Sequence, residues 1–150
     1  MGDKSKIEWT DSTWNPVTGC TAVSAGCKNC YAKRMAKRLV SMGCNKYESF
    51  SPAFHVDQLD VPLKWKKPRM VFVCSMGDLF HEDIEPSSLQ SIFAVMKKAD
   101  HHIFQVLTKR ATRLLWANKY LDWPSNVWIG VTVENADNAY RIEYLKHTHA

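Results

Sequence analysis

Three cysteines lie close together near the start of the chain, at Cys20, Cys27 and Cys30. Their C-x6-C-x2-C spacing is typical of a loop that folds around a soft metal or an iron–sulfur cluster, because such groups prefer thiolate ligands. Gly19 and Gly26 stand just before two of them, and glycine allows the backbone to turn tightly. No fourth cysteine follows at short spacing, whereas a closed zinc site needs four ligands. Three local ligands suggest a metal with an open coordination position.

The same cysteines permit a second interpretation, in which the metal is zinc or is absent. A C-x2-C pair also occurs in redox motifs and as half of a zinc knuckle. The fourth zinc ligand would then come from Cys44, Cys74 or His55. In the iron–sulfur interpretation Cys44 and Cys74 are not ligands. Cys74 lies in an apolar run, where a free cysteine behaves as a small hydrophobic residue.

Length and charge narrow the class of protein. A chain of 150 residues is one domain, 1–150, able to bury a core. Residues 1–14 are polar and do not resemble a signal peptide, and no apolar stretch reaches the length of a membrane span. The five cysteines are few and odd in number, which favours a reducing cytoplasm. The net charge of +5 mildly favours an anionic partner such as nucleic acid.

The apolar patterns predict strands that alternate with helices, and therefore an α/β fold with a parallel sheet and right-handed crossovers. The first unit is an extended segment ending in a short strand, then the cysteine loop, then a helix over 31–42. The other predicted strands cover 70–75, 102–108 and 126–133, and their helices begin at Pro86, near Thr112 and near Ala136.

Polar residues follow every predicted strand. The cysteine loop follows the first strand, and Asp78, Lys109 and Glu134 follow the others. Ligands of α/β proteins bind at the carboxyl ends of the strands, so these groups are expected to meet at one edge. We expect Asp78 to act in this site, although an aspartate that caps the next turn is the alternative.

Basic residues cluster in two segments, 28–38 on and before the first helix and 64–69 around Trp65. The first cluster suits an anion, and the interleaved basic and aromatic residues of the second suit single-stranded nucleic acid. An ordinary solvated basic surface is the alternative for both. Trp9 and Trp14 either cover the metal loop or pack as ordinary core and rim aromatics.

Five segments carry a resemblance to known proteins, and together they span essentially the whole chain. The chain resembles a family of phage and bacterial proteins with a three-cysteine motif. Through that motif it resembles the radical S-adenosylmethionine enzymes, with spore photoproduct lyase as a more distant relative. The segments are 7–20 (with IEWT and NPVTGC), 26–32 (GCKNCYA), 75–81 (SMGDLFH), 107–110 (LTKR) and 130–135 (GVTVEN).

The resemblance implies a [4Fe–4S] cluster on Cys20, Cys27 and Cys30, with S-adenosyl-L-methionine bound to the fourth iron. An electron donor would drive reductive cleavage to methionine and a 5′-deoxyadenosyl radical, which abstracts hydrogen from a substrate. The resemblance identifies no catalytic side chain. It places Gly77 and Asp78 near the methionine amino group, Lys109 or Arg110 near the carboxylate, and Glu134 near the ribose.

The chain departs from the radical S-adenosylmethionine pattern in two positions. The first cysteine gap is longer than the usual C-x3-C-x2-C, and Asn29 stands where an aromatic residue often precedes the third cysteine. Tyr31, an aromatic residue, follows that cysteine instead.

The number of βα units is a third departure. Such barrels usually have six units and four are predicted here, which implies a partial, barrel-like sheet with its C-terminal units missing. The strand near 127–133 would then be an edge that invites pairing. We therefore expect self-association or a complementary C-terminal fragment. A zinc-stabilised nucleic-acid-binding module and a truncated, inactive phage remnant are the alternative functions.

Overall fold

The structure of the protein is a computed structural model that describes residues 5–150. Its central sheet consists of parallel strands. In that range the sheet has four strands in the order β1-β4-β5-β6, and β2 and β3 form a separate antiparallel pair. The strands are β1 (Ser12–Trp14), β2 (Val17–Thr18), β3 (Ala53–Phe54), β4 (Met70–Val73), β5 (Ile103–Thr108) and β6 (Val127–Val131). The α-helices are α1 (Tyr31–Ser41), α2 (Pro86–Lys98), α3 (Ala111–Ala117) and α4 (Tyr140–Lys146). None of the helices within 5–150 is long and apolar enough to cross a membrane.

The register aligns the carboxyl ends of the strands. Trp14 lies opposite Val73, and Thr108 lies opposite Val131. The predicted α/β fold with a parallel sheet is therefore confirmed. Each connection brings the chain back to the end of the sheet where the strands begin. All the carboxyl ends therefore lie at the opposite edge, where the residues after β1, β4, β5 and β6 meet.

One face of the sheet carries the main core. Val71 and Val73 of β4 and Phe104 and Val106 of β5 are at most 1% exposed, and they alternate with less buried neighbours as strand geometry requires. Helix α2 begins with Pro86 at its first position, which suits a residue without a backbone N–H. Its buried face consists of Leu89, Ile92, Phe93 and Met96.

The other face of the sheet is only partly covered. Leu107 is 43% exposed and Trp128 is 54% exposed. Trp9 packs edge-on against Phe72 of β4, with ring centroids 4.8 Å apart. Strand β6 has a partner on one side alone within the described residues, as expected for an edge strand.

The chain that precedes the cysteine loop differs from its prediction. One strand was expected to lead into Cys20, but β1 ends at Trp14 and β2 belongs to the small second sheet. Pro16 lies between them and has no N–H to continue the parallel ladder. The helix expected after β5 ends as an α-helix at Ala117 and continues as a 3-10 turn, Asn118–Tyr120.

Trp9 and Trp14 pack as ordinary rim and core aromatics and do not cover the metal loop. Trp14 is 2% exposed, and its indole Nε1 donates a hydrogen bond to the carbonyl of Gln58 at 2.7 Å. Trp9 lies on the partly covered sheet face. Neither residue lines the cavity of the three cysteines.

Candidate metal and cofactor site

The three cysteines open into one cavity at the carboxyl edge of the sheet. Cys20, Cys27 and Cys30 line this cavity, whose volume is about 340 Å³. The prediction that the strand ends converge is confirmed at this edge. Residues that follow β4, β5 and β6 complete the wall: Gly77, Asp78, Lys109 and Thr132.

Local backbone geometry shapes the cysteine loop. A 3-10 turn, Ala25–Asn29, runs directly into α1, with Cys30 as the residue before the helix. Gly19 has φ +82°, and a Cβ atom there would lie 2.0 Å from the carbonyl oxygen of Ser51. Only glycine fits that position. Gly19 also forms an isolated parallel bridge with Gly77, so Gly77 joins the loop to the end of β4.

The loop favours a thiolate at Cys27. Burial alone would raise the pKa of Cys27, but hydrogen bonds from the loop backbone and the Ser24 hydroxyl, with the charge of Lys109, lower it below the usual value. Burial raises the pKa of Cys20, and the hydrogen bond from Arg110 opposes that rise. Thiolates are the species that bind metals, so the donor chemistry of this loop fits a metal group.

The three thiols line one cavity but do not form a closed single-metal site. Within residues 5–150, no three His, Cys, Asp or Glu side chains are close enough to hold one metal ion. Tetrahedral zinc with Zn–S bonds of about 2.3 Å requires sulfurs about 3.8 Å apart. A [4Fe–4S] cluster binds each thiolate through a different iron, so its thiolates surround one cluster but lie farther apart than those of a single zinc ion.

Arg110 holds the cysteine loop in place through hydrogen bonds to Thr21. Its guanidinium is buried, and Nη2 donates hydrogen bonds to the carbonyl and the hydroxyl of Thr21, each at 2.9 Å. The same nitrogen lies 3.8 Å from Cys20 Sγ, while Nη1 donates to the Glu82 carboxylate. Arg110 does not line the cavity, so its side chain holds the loop instead of facing a ligand there.

His81 extends this network. The backbone N–H of Asp83 donates to His81 Nδ1 at 3.1 Å, so the ring proton lies on Nε2, which is 2.9 Å from the Thr21 hydroxyl. Burial, and then the charge of Arg110, lowers the pKa of His81. The ring is therefore neutral near pH 7 and fixes the Thr21 side chain.

Glu134 joins the end of β6 to the cysteine loop. Its carboxylate accepts hydrogen bonds from Ser24 Oγ at 2.7 Å and Arg141 Nη1 at 2.9 Å, and Lys109 Nζ lies 3.3 Å away. A Cβ atom on Gly26 would lie 2.7 Å from the carboxylate, so the glycine permits this approach. Burial opposes ionisation, but the bonds from Ser24, Lys109 and Arg141 outweigh it and lower the pKa of Glu134.

Asp78 lines the cavity and also caps the turn that follows β4. Its carboxylate accepts hydrogen bonds from Thr108 Oγ1 at 2.7 Å, the Phe80 N–H at 3.0 Å and the Lys109 N–H at 3.1 Å. The turn-capping alternative is therefore part of its role. These bonds lock the end of β4 to the end of β5.

The two remaining cysteines differ in position. Cys74 lies at the cavity wall but is 4% exposed, and burial raises its pKa far above the usual thiol value. It is also in the left-handed region, with φ +59°. Cys44 packs in the small cluster beneath α1.

Sequence reasoning missed the residues that hold the loop in place. Ser24 and Thr21 lie between predicted cysteine ligands, and His81 was noted only as part of a motif. Arg141 is 1% exposed although it is a charged residue of the last helix. Its separation of seven residues from Glu134 follows no short motif.

Fold and site together define an α/β protein with a three-cysteine loop at the carboxyl edge of a parallel sheet. The chain belongs to the family described as "Protein of unknown function (DUF5131)", whose sequence model matches residues 4–150. No curated protein and no solved structure matches the chain.

Proposed function

We propose that this protein is a radical S-adenosylmethionine-type iron–sulfur protein whose sheet is part of a barrel-like (βα) array. One observation carries the proposal: the cavity that receives Cys20, Cys27 and Cys30 is walled by the ends of β4, β5 and β6. A cluster on the three thiols would face polar groups that can bind a cofactor beside it. Asp78, Lys109 and Thr132 are the polar groups at those ends.

The chemistry needs the cofactor and one electron from an external donor. When bound, the cluster and S-adenosyl-L-methionine supply reductive cleavage of the C5′–S bond, which yields methionine and a carbon radical that takes hydrogen from the substrate. The protein's own part is to hold the loop and exclude water. Arg110 and Glu134 are positioning residues, because each hydrogen-bonds to the loop between the cysteines.

Anaerobic reconstitution with iron and sulfide tests this proposal. We expect a brown protein with broad visible absorption, about four irons per chain, and release of methionine and 5′-deoxyadenosine on reduction with S-adenosyl-L-methionine. Alanine at Cys20, Cys27 or Cys30 should abolish iron binding. Cys44→Ala is the matched control, because Cys44 lies outside the cavity.

Two results would overturn the proposal. The first is a colourless protein that holds stoichiometric zinc after purification without added metal. The second is an equal loss of iron in Cys74→Ala and Cys27→Ala, since Cys74 is a buried thiol whose raised pKa disfavours the thiolate.

A zinc-stabilised nucleic-acid-binding module is the second candidate. A groove beside the cysteine loop, lined by Lys28, Lys33, Arg34 and Lys37, favours it, because such a basic groove attracts phosphates without any catalysis. Metal analysis separates the candidates, since the zinc module holds no iron or sulfide and does not cleave S-adenosyl-L-methionine.

The barrel-like part of the proposal rests on β6. This strand is an edge within the described residues, and Trp128 on it is 54% exposed. We propose that another copy or a complementary fragment pairs with this edge. Light scattering over a concentration series should show association that Val131→Pro weakens, since proline removes an N–H from the edge. A monomer at every concentration would contradict pairing with another copy.

A further inference from the structure

A basic groove runs along α1 beside the cysteine loop. Its volume is about 540 Å³, and it shares Cys27 and Cys30 with the cofactor cavity. A molecule in this groove therefore lies next to two of the proposed cluster ligands. Its charged lining is wholly cationic: Lys28, Lys33, Arg34 and Lys37.

These positive charges are uncompensated. No Asp or Glu occurs between Asp11 and Glu48, whereas six Lys or Arg residues do. No carboxylate in residues 5–150 lies within 4 Å of the four groove cations. Cations elsewhere do have carboxylate partners, among them Lys97, Lys109, Arg110, Arg141 and Lys146. The groove therefore concentrates positive potential that the fold does not use internally.

An exposed aromatic ring lies at the start of the helix that carries Lys33, Arg34 and Lys37. Tyr31 opens α1 and is 58% exposed, and it lines the cofactor cavity. Arg34 lies three positions after Tyr31, so the two side chains share one face of the helix. Cations along a groove with an exposed aromatic ring are what single-stranded nucleic acid needs, because phosphates pair with the charges and an unpaired base stacks on the ring.

We propose that this groove binds single-stranded nucleic acid, with phosphates on Lys33, Arg34 and Lys37 and a base on Tyr31. Binding itself does not require a cluster. As a statement about substrate class it rests on the proposed function, because only then does the bound nucleotide lie beside a radical source.

Fluorescence anisotropy with a labelled 20-nucleotide single strand tests the binding. The triple variant K33Q/R34Q/K37Q removes three groove cations, and K64Q/K66Q/K67Q removes three exposed lysines of the other basic segment. Each single-strand phosphate contact adds about 0.7 to the slope of log K against log salt. We expect the first variant to lower that slope by about 2 and the second to leave it unchanged.

Tyr31 separates stacking from charge. Tyr31→Ala should weaken single-strand binding about fivefold or more and leave the salt slope unchanged, because base stacking does not release counterions. Tyr31→Phe keeps the ring and should bind normally. Circular dichroism of each variant checks that α1 is intact.

Three outcomes would overturn the inference: equal salt slopes for the two triple variants, tighter binding of a 20-base-pair duplex, or equal competition by a polyglutamate peptide of matched charge. The same titrations run on metal-free and reconstituted protein separate the two proposals. Binding by a protein that forms no cluster defeats the proposed function alone, and a cluster-bearing protein that ignores the oligonucleotide defeats this inference alone.

Discussion

Helices α1 and α2 are attached to the protein in opposite ways. Helix α2 buries four large side chains in the main core, where Ile92 and Met96 are fully covered. Helix α1 is nearly as long but buries only two alanines, Ala32 and Ala36, against a small cluster that includes Tyr47 and Met76. Burial of apolar area is the main source of folding free energy, so the two helices contribute to stability very unequally.

Polar contacts replace apolar burial on the α1 side. The loop that precedes α1 is held by Arg110 through Thr21 and by Glu134 through Ser24. Such bonds fix geometry but add little net free energy each. The residues that contribute most to folding stability therefore lie around α2, whereas the candidate site lies beside α1, in the less stable part of the fold.

The largest effect should come from the core beneath α2. Ile92→Ala leaves a cavity at a fully buried position and should lower the free energy of unfolding by about 2–5 kcal/mol. Met35→Ala, on the half-buried face of α1, should lower it by less than half as much. Urea unfolding followed by tryptophan fluorescence measures both, and equal losses would contradict the comparison.

Loss of the Arg110 hydrogen bonds that hold the cysteine loop should have the second largest effect on stability. Arg110→Met deletes hydrogen bonds of a charged group to Thr21 and should destabilise the protein by about 1.5–3 kcal/mol. Iron uptake should fall as well, because Thr21 follows Cys20. Arg110→Lys keeps the charge without the forked geometry and should recover only part of both. Full recovery of iron uptake by lysine would show that charge alone matters.

Acid should weaken both regions, each through its own histidine. Burial lowers the pKa of His81 behind the loop and of His102 in the core. The unfolded chain then binds a proton before the folded one does, so stability is complete above about pH 6.5 and falls as pH drops towards the lowered folded value.

Melting temperatures from pH 7.5 to 5 test this dependence on acid. His102→Gln should flatten the decline seen by global unfolding. His81→Gln should flatten the decline seen by hydrogen exchange in α1. If neither substitution changes its own profile, histidine titration is not the cause.

The smallest effect should be at Ser24. Ser24→Ala removes the hydrogen bond to Glu134 and the weaker contact with Cys27 Sγ, and should cost about 1 kcal/mol or less. Hydrogen exchange should detect it as faster exchange in α1 with α2 unchanged. Ser41→Ala, which loses only a bond to Arg38 at the far end of α1, is the control.

The sequence predicts the main elements well because they follow apolar periodicity. Strands β4, β5 and β6 are apolar runs between polar ends, and parallel connectivity then places Asp78, Lys109 and Glu134 at one edge, where Lys109 contacts both carboxylates. Neither inference needs knowledge of side-chain contacts. The separation of β1 from β2 was missed, because a single proline decides it.

The side-chain hydrogen bonds that hold the cysteine loop in place could not be predicted from apolar periodicity. Arg110 reaches Thr21 across 89 residues, and Ser24 reaches Glu134 across 110. Such contacts depend on the full tertiary arrangement and on the reach of long side chains. Arg141 looks like a solvated residue in the sequence, yet only the folded chain shows that it is buried beneath Glu134.

The long sequence separation between Ser24 and Glu134 also decides when the cysteine loop can close during synthesis. The cysteine loop is made first, but the partner that closes it, Glu134, is made 110 residues later. At a translation speed of about 5–20 residues per second, the three thiols stay unconfined for several seconds or more on the ribosome. Metal delivered during that interval meets a flexible peptide instead of a shaped site. If the protein holds the proposed cluster, loading of the shaped site would follow synthesis of Glu134, and oxidants would reach the unconfined cysteines before that point.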